Sequence, residues 1–268
     1  MEKVLFSSFD GTSLNGILTI PEGVGQMRGL FLLMHGIPSE KNEWGFYSDM
    51  ANVLSQNGFA SLRFDFRLNG ENTNDGSMKE LTLSGMIMDI EAAYQLLRSQ
   101  FDDDLYVVGT SCGGGVTVKW LNTFKHNIKK CFLMAPVLDY VYEATGVRRE
   151  TFFAERQVGI VEKLNNIGYL NDDIHYGRAF FNDALIFDGV NEVNQCTTPI
   201  TIFQGTDDSV VPIELTEQIV GESQRKINFC KVSSADHGFA ALGDDDLTSP
   251  ETKKNHNYVY QKMIAECH

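Results

Sequence analysis

Apolar and polar positions alternate at the start of the chain and then give way to unbroken apolar runs. Residues 4 to 21, VLFSSFDGTSLNGILTIP, alternate on either side of Asp10-Gly11, which predicts an antiparallel hairpin. LFLLMHG (30 to 36), ASLRFDF (60 to 66), LYVV (105 to 108), KCFLMAP (130 to 136), TPITIFQG (198 to 205) and INFCKVSS (227 to 234) read as further strands, several apolar enough to be covered on both faces. Helical spacing marks Tyr47 to Gln56, 83 to 99 with Met86, Ile90, Ala93 and Leu97 on one face, Val116 to Phe124, 214 to 222 and about 252 to 266. Strands alternating with helices after an antiparallel start predict an α/β fold, a mostly parallel sheet flanked by helices. Residues 67 to 80 read as a long loop, and 137 to 195 break the alternation as an insertion.

Composition narrows this picture in three ways. A chain of 268 residues, 43% of them hydrophobic, can bury one sizeable core, so residues 1–268 are read as a single domain carrying the 137–195 insertion. A net charge of −14 argues against nucleic acid and anionic membrane surfaces as partners, because like charges repel within a Debye length. The first residues lack the apolar core of a signal peptide, and no stretch reaches the roughly 20 apolar residues that span a bilayer. Cys112, Cys131, Cys196, Cys230 and Cys267 are odd in number and widely spaced, with no C-x-x-C pair, and read as reduced thiols of a cytoplasmic protein. No ligand cluster is present, so neither a metal nor an organic cofactor is expected. The acidic runs Asp102 to Asp104 and Asp244 to Asp246 read as solvated loop tips.

The stretch LYVVGTSCGGGVTV (105 to 118) changes the picture most. Gly109-Thr110-Ser111-Cys112-Gly113 fits G-x-S-x-G between a strand and a helix, the setting of a nucleophile elbow. Glycines on either side of the serine remove Cβ atoms where the backbone turns sharply. A serine hydroxyl needs an adjacent base oriented by a carboxylate. Of six histidines, His237 in SSADHGF follows the last predicted strand and is the candidate base; His126, His175, His256 and His268 read as solvated. QGTDDSVVP (204 to 212) offers Asp207 or Asp208 as the orienting acid, although either also suits an N-cap. The order Ser, Asp, His is that of the elbow-bearing architecture. An oxyanion hole needs two N–H donors, for which the backbones of Cys112 and Ile37 are the candidates. His35 reads as structural, and the Cys112 thiol as a rival nucleophile displaced from the centre of the glycine frame.

With HGIP (35 to 38), RFDFRLNGEN (63 to 72), GTSCG (109 to 113), and GTDDSVVP (205 to 212) followed by ADHGF (235 to 239), the chain resembles the α/β-hydrolase superfamily over nearly its whole length. Within it the likeness is to carboxylesterases of the cinnamoyl and feruloyl esterase type and to related serine-peptidase and monoglyceride-lipase-like hydrolases. The resemblance implies a mostly parallel eight-stranded sheet. It also implies Ser111 as nucleophile, His237 as base, Asp208 rather than Asp207 as orienter, and Ile37 and Cys112 as N–H donors. Residues 137–195 would then be a cap over the site. Their aromatics, Tyr140, Tyr142, Phe152, Phe153, Tyr169, Tyr176, Phe180, Phe181 and Phe187, are too many for so short an insertion to bury, which favours an apolar or aromatic acyl group. Two departures, RLNGEN in place of a glycine-histidine-glycine-serine run and Cys112 beside the serine, bear on substrate class. The expected activity is hydrolysis of a carboxylic ester or thioester through an acyl-enzyme. Acyl transfer or biosynthetic thioesterase action by the same triad is the alternative, and a non-turnover ligand-binding member of the fold is a third. The expected partner is a small acyl ester or thioester; a homodimer and an acyl-carrier partner are left open.

Overall fold

A computed structural model describes residues 1–23, 26–155 and 157–267. The opening hairpin forms as the alternation requires. Strands β1 (Glu2–Ser7) and β2 (Ser13–Thr19) pair antiparallel, from Glu2 opposite Leu18 to Ser7 opposite Ser13, and Gly11 takes the left-handed φ of +89° in the turn. β2 then pairs antiparallel with β4 (Phe59–Phe64). From β4 onward, β3 (Gly29–Met34), β5 (Leu105–Thr110), β6 (Lys130–Met134), β7 (Ile200–Gly205) and β8 (Asn228–Val232) run parallel. The eight-stranded order is β1-β2-β4-β3-β5-β6-β7-β8.

The apolar runs are unbroken because both faces of the central strands are covered. Phe31, Leu33, Tyr106, Val108, Phe132, Met134 and Phe203 pack with residues of α1 (Phe46–Gln56) and α10 (Pro250–Ala265). Their strand neighbours Leu30, Leu32, Val107, Leu133 and Ile202 belong to the opposite core, with Met86 and Ile90 of α2 (Leu83–Arg98) and Val116 and Trp120 of α3 (Cys112–Phe124). Each buried Leu or Phe contributes about 1.5–3 kcal/mol of apolar transfer, so this period-two division pins the register of the sheet.

The helix after β5 differs from expectation. It begins at Cys112 instead of Val116, so three consecutive glycines lie inside it. Glycine weakens a helix interior, but close approach overrides propensity here. A Cβ on Gly114 would lie 2.7 Å from Pro136 Cβ, and one on Gly113 or Gly115 would strike the carbonyl oxygens of His35 or Val137.

Residues 137–195 fold as α4 (Tyr140–Thr145), α5 (Arg149–Glu155), α6 (Val158–Ile167), α7 (Arg178–Ile186) and α8 (Gly189–Gln195). α9 (Ile213–Glu222) follows β7. Five of the nine aromatics of the inserted segment turn inward, while Phe153 stays exposed. Tyr140, Tyr176, Phe180, Phe181 and Phe187 are buried, with Tyr176 stacked on Phe180 at 3.9 Å and Phe187 edge-on to Tyr140 at 4.8 Å. The segment shares a core with α2 and α3 instead of building its own, which is how it hides so many rings.

Candidate active site

Thr110 ends β5 and Cys112 begins α3, so Ser111 alone makes the turn between them, with φ +50° and ψ −125°. Such a conformation costs of order 1–3 kcal/mol for a residue with a side chain and is held by its surroundings. The Ser111 N–H donates to the Met134 carbonyl (2.9 Å), and the Ser111 carbonyl accepts from the N–H groups of Gly114 and Val137 (both 2.9 Å). Both glycines of the motif are sterically required: a Cβ on Gly109 would lie 2.6 Å from Thr117 Oγ1, and one on Gly113 would collide with the His35 carbonyl. Gly36 is required as well, since a Cβ there would stand 2.9 Å from Ser111 Cβ. Ser111, only 7% exposed, opens into a cavity of about 640 Å³ at the carboxyl edge of the sheet.

His237 lines the same cavity from the loop after β8. Its Nδ1–H donates to the Asp208 carboxylate, 2.9 Å to Oδ2 and 3.1 Å to Oδ1. Asp208 also accepts from Gln204 Nε2 (3.2 Å) and from the N–H groups of Val210 (3.0 Å) and Val211 (2.9 Å). Asp207 is engaged elsewhere: its N–H donates to the Ala235 carbonyl (2.9 Å), and its carboxylate accepts from the Thr206 hydroxyl (3.3 Å). Burial opposes a charge on His237, but the hydrogen bond and field of Asp208, with Glu43 and Glu143 adding to them, outweigh it and raise the imidazole above its usual 6.5.

Ile37 lines the cavity beside Gly36, whose own N–H is already taken by Glu43 Oε2 at 2.7 Å. Cys112 is fully buried. Its thiol donates to the Tyr176 hydroxyl (3.4 Å), which in turn donates to Glu143 Oε1 (3.0 Å), while the Tyr140 hydroxyl donates to the Cys112 carbonyl. Burial pushes this thiol well above its ordinary value, so it stays protonated and unreactive. His35 is structural, as its sequence context suggested. It is fully buried, Nδ1–H donates to the Gly36 carbonyl (2.6 Å), Nε2 accepts the Phe66 N–H (2.9 Å), and burial lowers it to about 4.

Several expectations are corrected. His256 is buried, not solvated: its Nε2–H donates to the Gly238 carbonyl (2.9 Å) and its ring meets Phe46 edge-on at 4.9 Å, bracing the loop that carries His237. His126 stacks on Tyr94 at 3.8 Å with Nε2 2.8 Å from Glu91. His175 lies 4.0 Å from the Tyr169 ring, and His268 is outside the described residues. Of the inserted aromatics only Tyr142 lines the cavity; the other rings along it, Trp44, Phe46 and Phe239, come from outside 137–195. Asp245 is exposed, as expected of a solvated tip, and also borders the cavity. Glu43, Glu143 and Gln204 were not singled out by the sequence, because an isolated acid in a polar loop or a short helix and a glutamine in a strand carry no periodic signal. Among the described residues, no group of three or more His, Cys, Asp or Glu could hold a metal ion, and no helix is long and apolar enough to cross a membrane.

Solved structures share this architecture. Est1E from Butyrivibrio proteoclasticus, with ferulic acid bound, is 18% identical at a TM-score of 0.75, over 98% of this chain and 99% of that one. A hydrolase from Agrobacterium vitis S4, named as putative, is 17% identical at 0.72 over 100% and 98%, and alpha/beta hydrolase domain-containing protein 10 from mouse is 15% identical at 0.72 over 99% and 98%. No curated protein sequence matches significantly. Residues 25–189, more than half of the chain, match the family described as serine aminopeptidase, S33, so the chain belongs to that hydrolase family within the α/β-hydrolase superfamily.

Proposed function

We propose that the chain is a serine esterase working through Ser111, His237 and Asp208. The observation that carries this reading is the His237–Asp208 hydrogen bond at 2.9 Å on the wall of the cavity into which the strained Ser111 opens. His237 Nε2 takes the Ser111 proton as Oγ attacks the acyl carbon, and the tetrahedral oxyanion is received by the N–H groups of Ile37 and Cys112. His237⁺ then protonates the leaving alcohol. Water, deprotonated by His237, hydrolyses the acyl-enzyme and returns Ser111.

Residues 137–195 act as a cap in this reading, supported by Tyr142, Glu143, Gly146, Asn171, Asp173 and Ile174 lining the cavity. An apolar or aromatic part of the substrate would lie against Trp44, Phe46, Tyr142, Ile174 and Phe239. Glu43, Glu143, Asp173 and Asp245 line the same space, and no Lys or Arg does among the described residues. That charge pattern repels phosphate-bearing carriers and favours an ordinary carboxylic ester over a carrier-bound thioester. Ser111→Ala is expected to abolish hydrolysis of p-nitrophenyl esters and labelling by a fluorophosphonate; undiminished turnover in that variant would overturn the reading. A labelled acyl donor followed into acid or into a transfer product separates hydrolysis from acyl transfer.

A further inference from the structure

The loop after β3 contains a turn with three consecutive left-handed residues. Glu43, Trp44 and Gly45 take φ of +47°, +54° and +100° in succession, two of them with side chains that disfavour this region. The turn is closed by hydrogen bonds from the Glu43 N–H to the Glu40 carbonyl (2.8 Å) and from the N–H groups of Gly45 (3.0 Å) and Tyr47 (2.9 Å) to the Asn42 carbonyl. Its effect is to put a second carboxyl group into the cavity. Glu43 Oε2 accepts the Gly36 N–H at 2.7 Å. A Cβ on Gly36 would lie 3.5 Å from Glu43 Oε1 and 3.6 Å from Ser111 Oγ, so the carboxyl group and the nucleophile both border the same face of Gly36.

We infer that Glu43 is a positioning residue: its carboxyl group fixes Gly36 so that the next N–H, that of Ile37, is presented to the acyl oxygen, and its charge acts on His237 in addition to that of Asp208. This rests on the reading of Ser111 as the nucleophile. An N–H donor to an oxyanion is worth its full effect only when held in place before the charge develops. The Glu43 carboxyl supplies that restraint without using the Ile37 N–H itself. It also sits among other titrating groups: Asp208 from the loop after β7, Glu143 from α4, Glu40 from its own turn, Tyr47 from α1 and Cys112 from α3. Burial raises Glu43 to about 7, against the Gly36 hydrogen bond and the nearby His237, and a charge on Glu43 in turn favours the protonated His237.

The test compares Glu43→Ala with Glu43→Gln on a p-nitrophenyl ester across pH, with fluorophosphonate labelling of Ser111 in each. Glu43→Ala loses the restraint, and kcat should fall about 10- to 100-fold with KM within about threefold. Glu43→Gln keeps an acceptor for Gly36 but no charge; it should recover most of that loss at its own optimum and move the acidic limb of kcat/KM down by roughly half a pH unit to one unit. Should Glu43→Ala fold poorly, as read by circular dichroism, the isosteric Gln variant carries the test through its pH limb. Wild-type kcat and pH profile in Glu43→Ala, or an unmoved limb in Glu43→Gln, would overturn the inference while Ser111 labelling leaves the esterase reading standing. An unlabelled, inactive wild-type protein would overturn both.

Discussion

Asp207 and Asp208 are adjacent and chemically alike, and what separates them is which one the turn after β7 points at His237. Asp208 receives the Nδ1–H together with donors from Gln204, Val210 and Val211, whereas Asp207 is turned to Thr206. In Asp208→Asn the amide either offers an NH₂ to Nδ1 or keeps one acceptor without charge, which spoils the tautomer that His237 needs as a base. We expect kcat to drop about 10³- to 10⁴-fold in Asp208→Asn and to change less than about twofold in Asp207→Asn. Equal losses in the two variants would remove Asp208 from the triad. With His237 raised above 6.5, the proposed role as a base, which needs the neutral ring, makes wild-type activity disappear as pH falls through a midpoint above 6.5.

At the scale of elements, the loop after β3 is tied to the loop after β4 by one buried carboxylate. Asp65 Oδ1 accepts the Lys41 N–H (2.7 Å), and Oδ2 accepts Lys41 Nζ (2.7 Å) and the Glu71 N–H (3.0 Å), with both Asp65 and Lys41 almost wholly buried. Gly70 has φ +53° beneath this carboxylate, and a Cβ there would overlap Asp65, which accounts for RFDFRLNGEN as a spacing of Asp, Gly and Glu instead of a histidine-bearing run. Asp65→Ala leaves the Lys41 ammonium buried with only Glu71 for a partner and should cost about 3 kcal/mol in urea unfolding. A loss below about 1 kcal/mol would mean that the two loops are held together by something else. This tie also marks how far the sequence could be read. The mostly parallel sheet and the tight strand-to-helix turn at Ser111 were legible because apolar runs and flanking glycines are local signals, and chain order singled out Ser111, Asp207 or Asp208, and His237 as candidates. The start of α3 was not, since helix propensity counts Gly113, Gly114 and Gly115 against it and only tertiary contact explains them. Glu43 was not either, for its role depends on three left-handed residues and on a glycine seven positions earlier.

Across the whole molecule, two groups on the loop after β3 set opposite slopes of stability against pH. His35 is held at about 4 by burial, below its ordinary 6.5, so the unfolded chain binds its proton first and stability rises as pH increases from 4 to 6.5. Glu43 is held at about 7, above its ordinary 4.5, so the folded chain keeps the proton longer and stability falls as pH increases from 4.5 to 7. Where the windows overlap each group contributes about 1.4 kcal/mol per pH unit with opposite sign, and the two offset one another. The Glu43 contribution is at most about 3 kcal/mol and smaller in practice, because its half-buried carboxyl group is partly open to the cavity. Removing either group should therefore uncover the other. Relative to wild type, Glu43→Gln should gain stability steadily between pH 4.5 and 7, and His35→Gln should lose stability steadily between pH 4 and 6.5, in urea unfolding at each pH. Curves for the variants that run parallel to wild type through these windows would mean that neither group keeps its shifted protonation in the folded chain, and that the loop over Ser111 is more open to water than its packing implies.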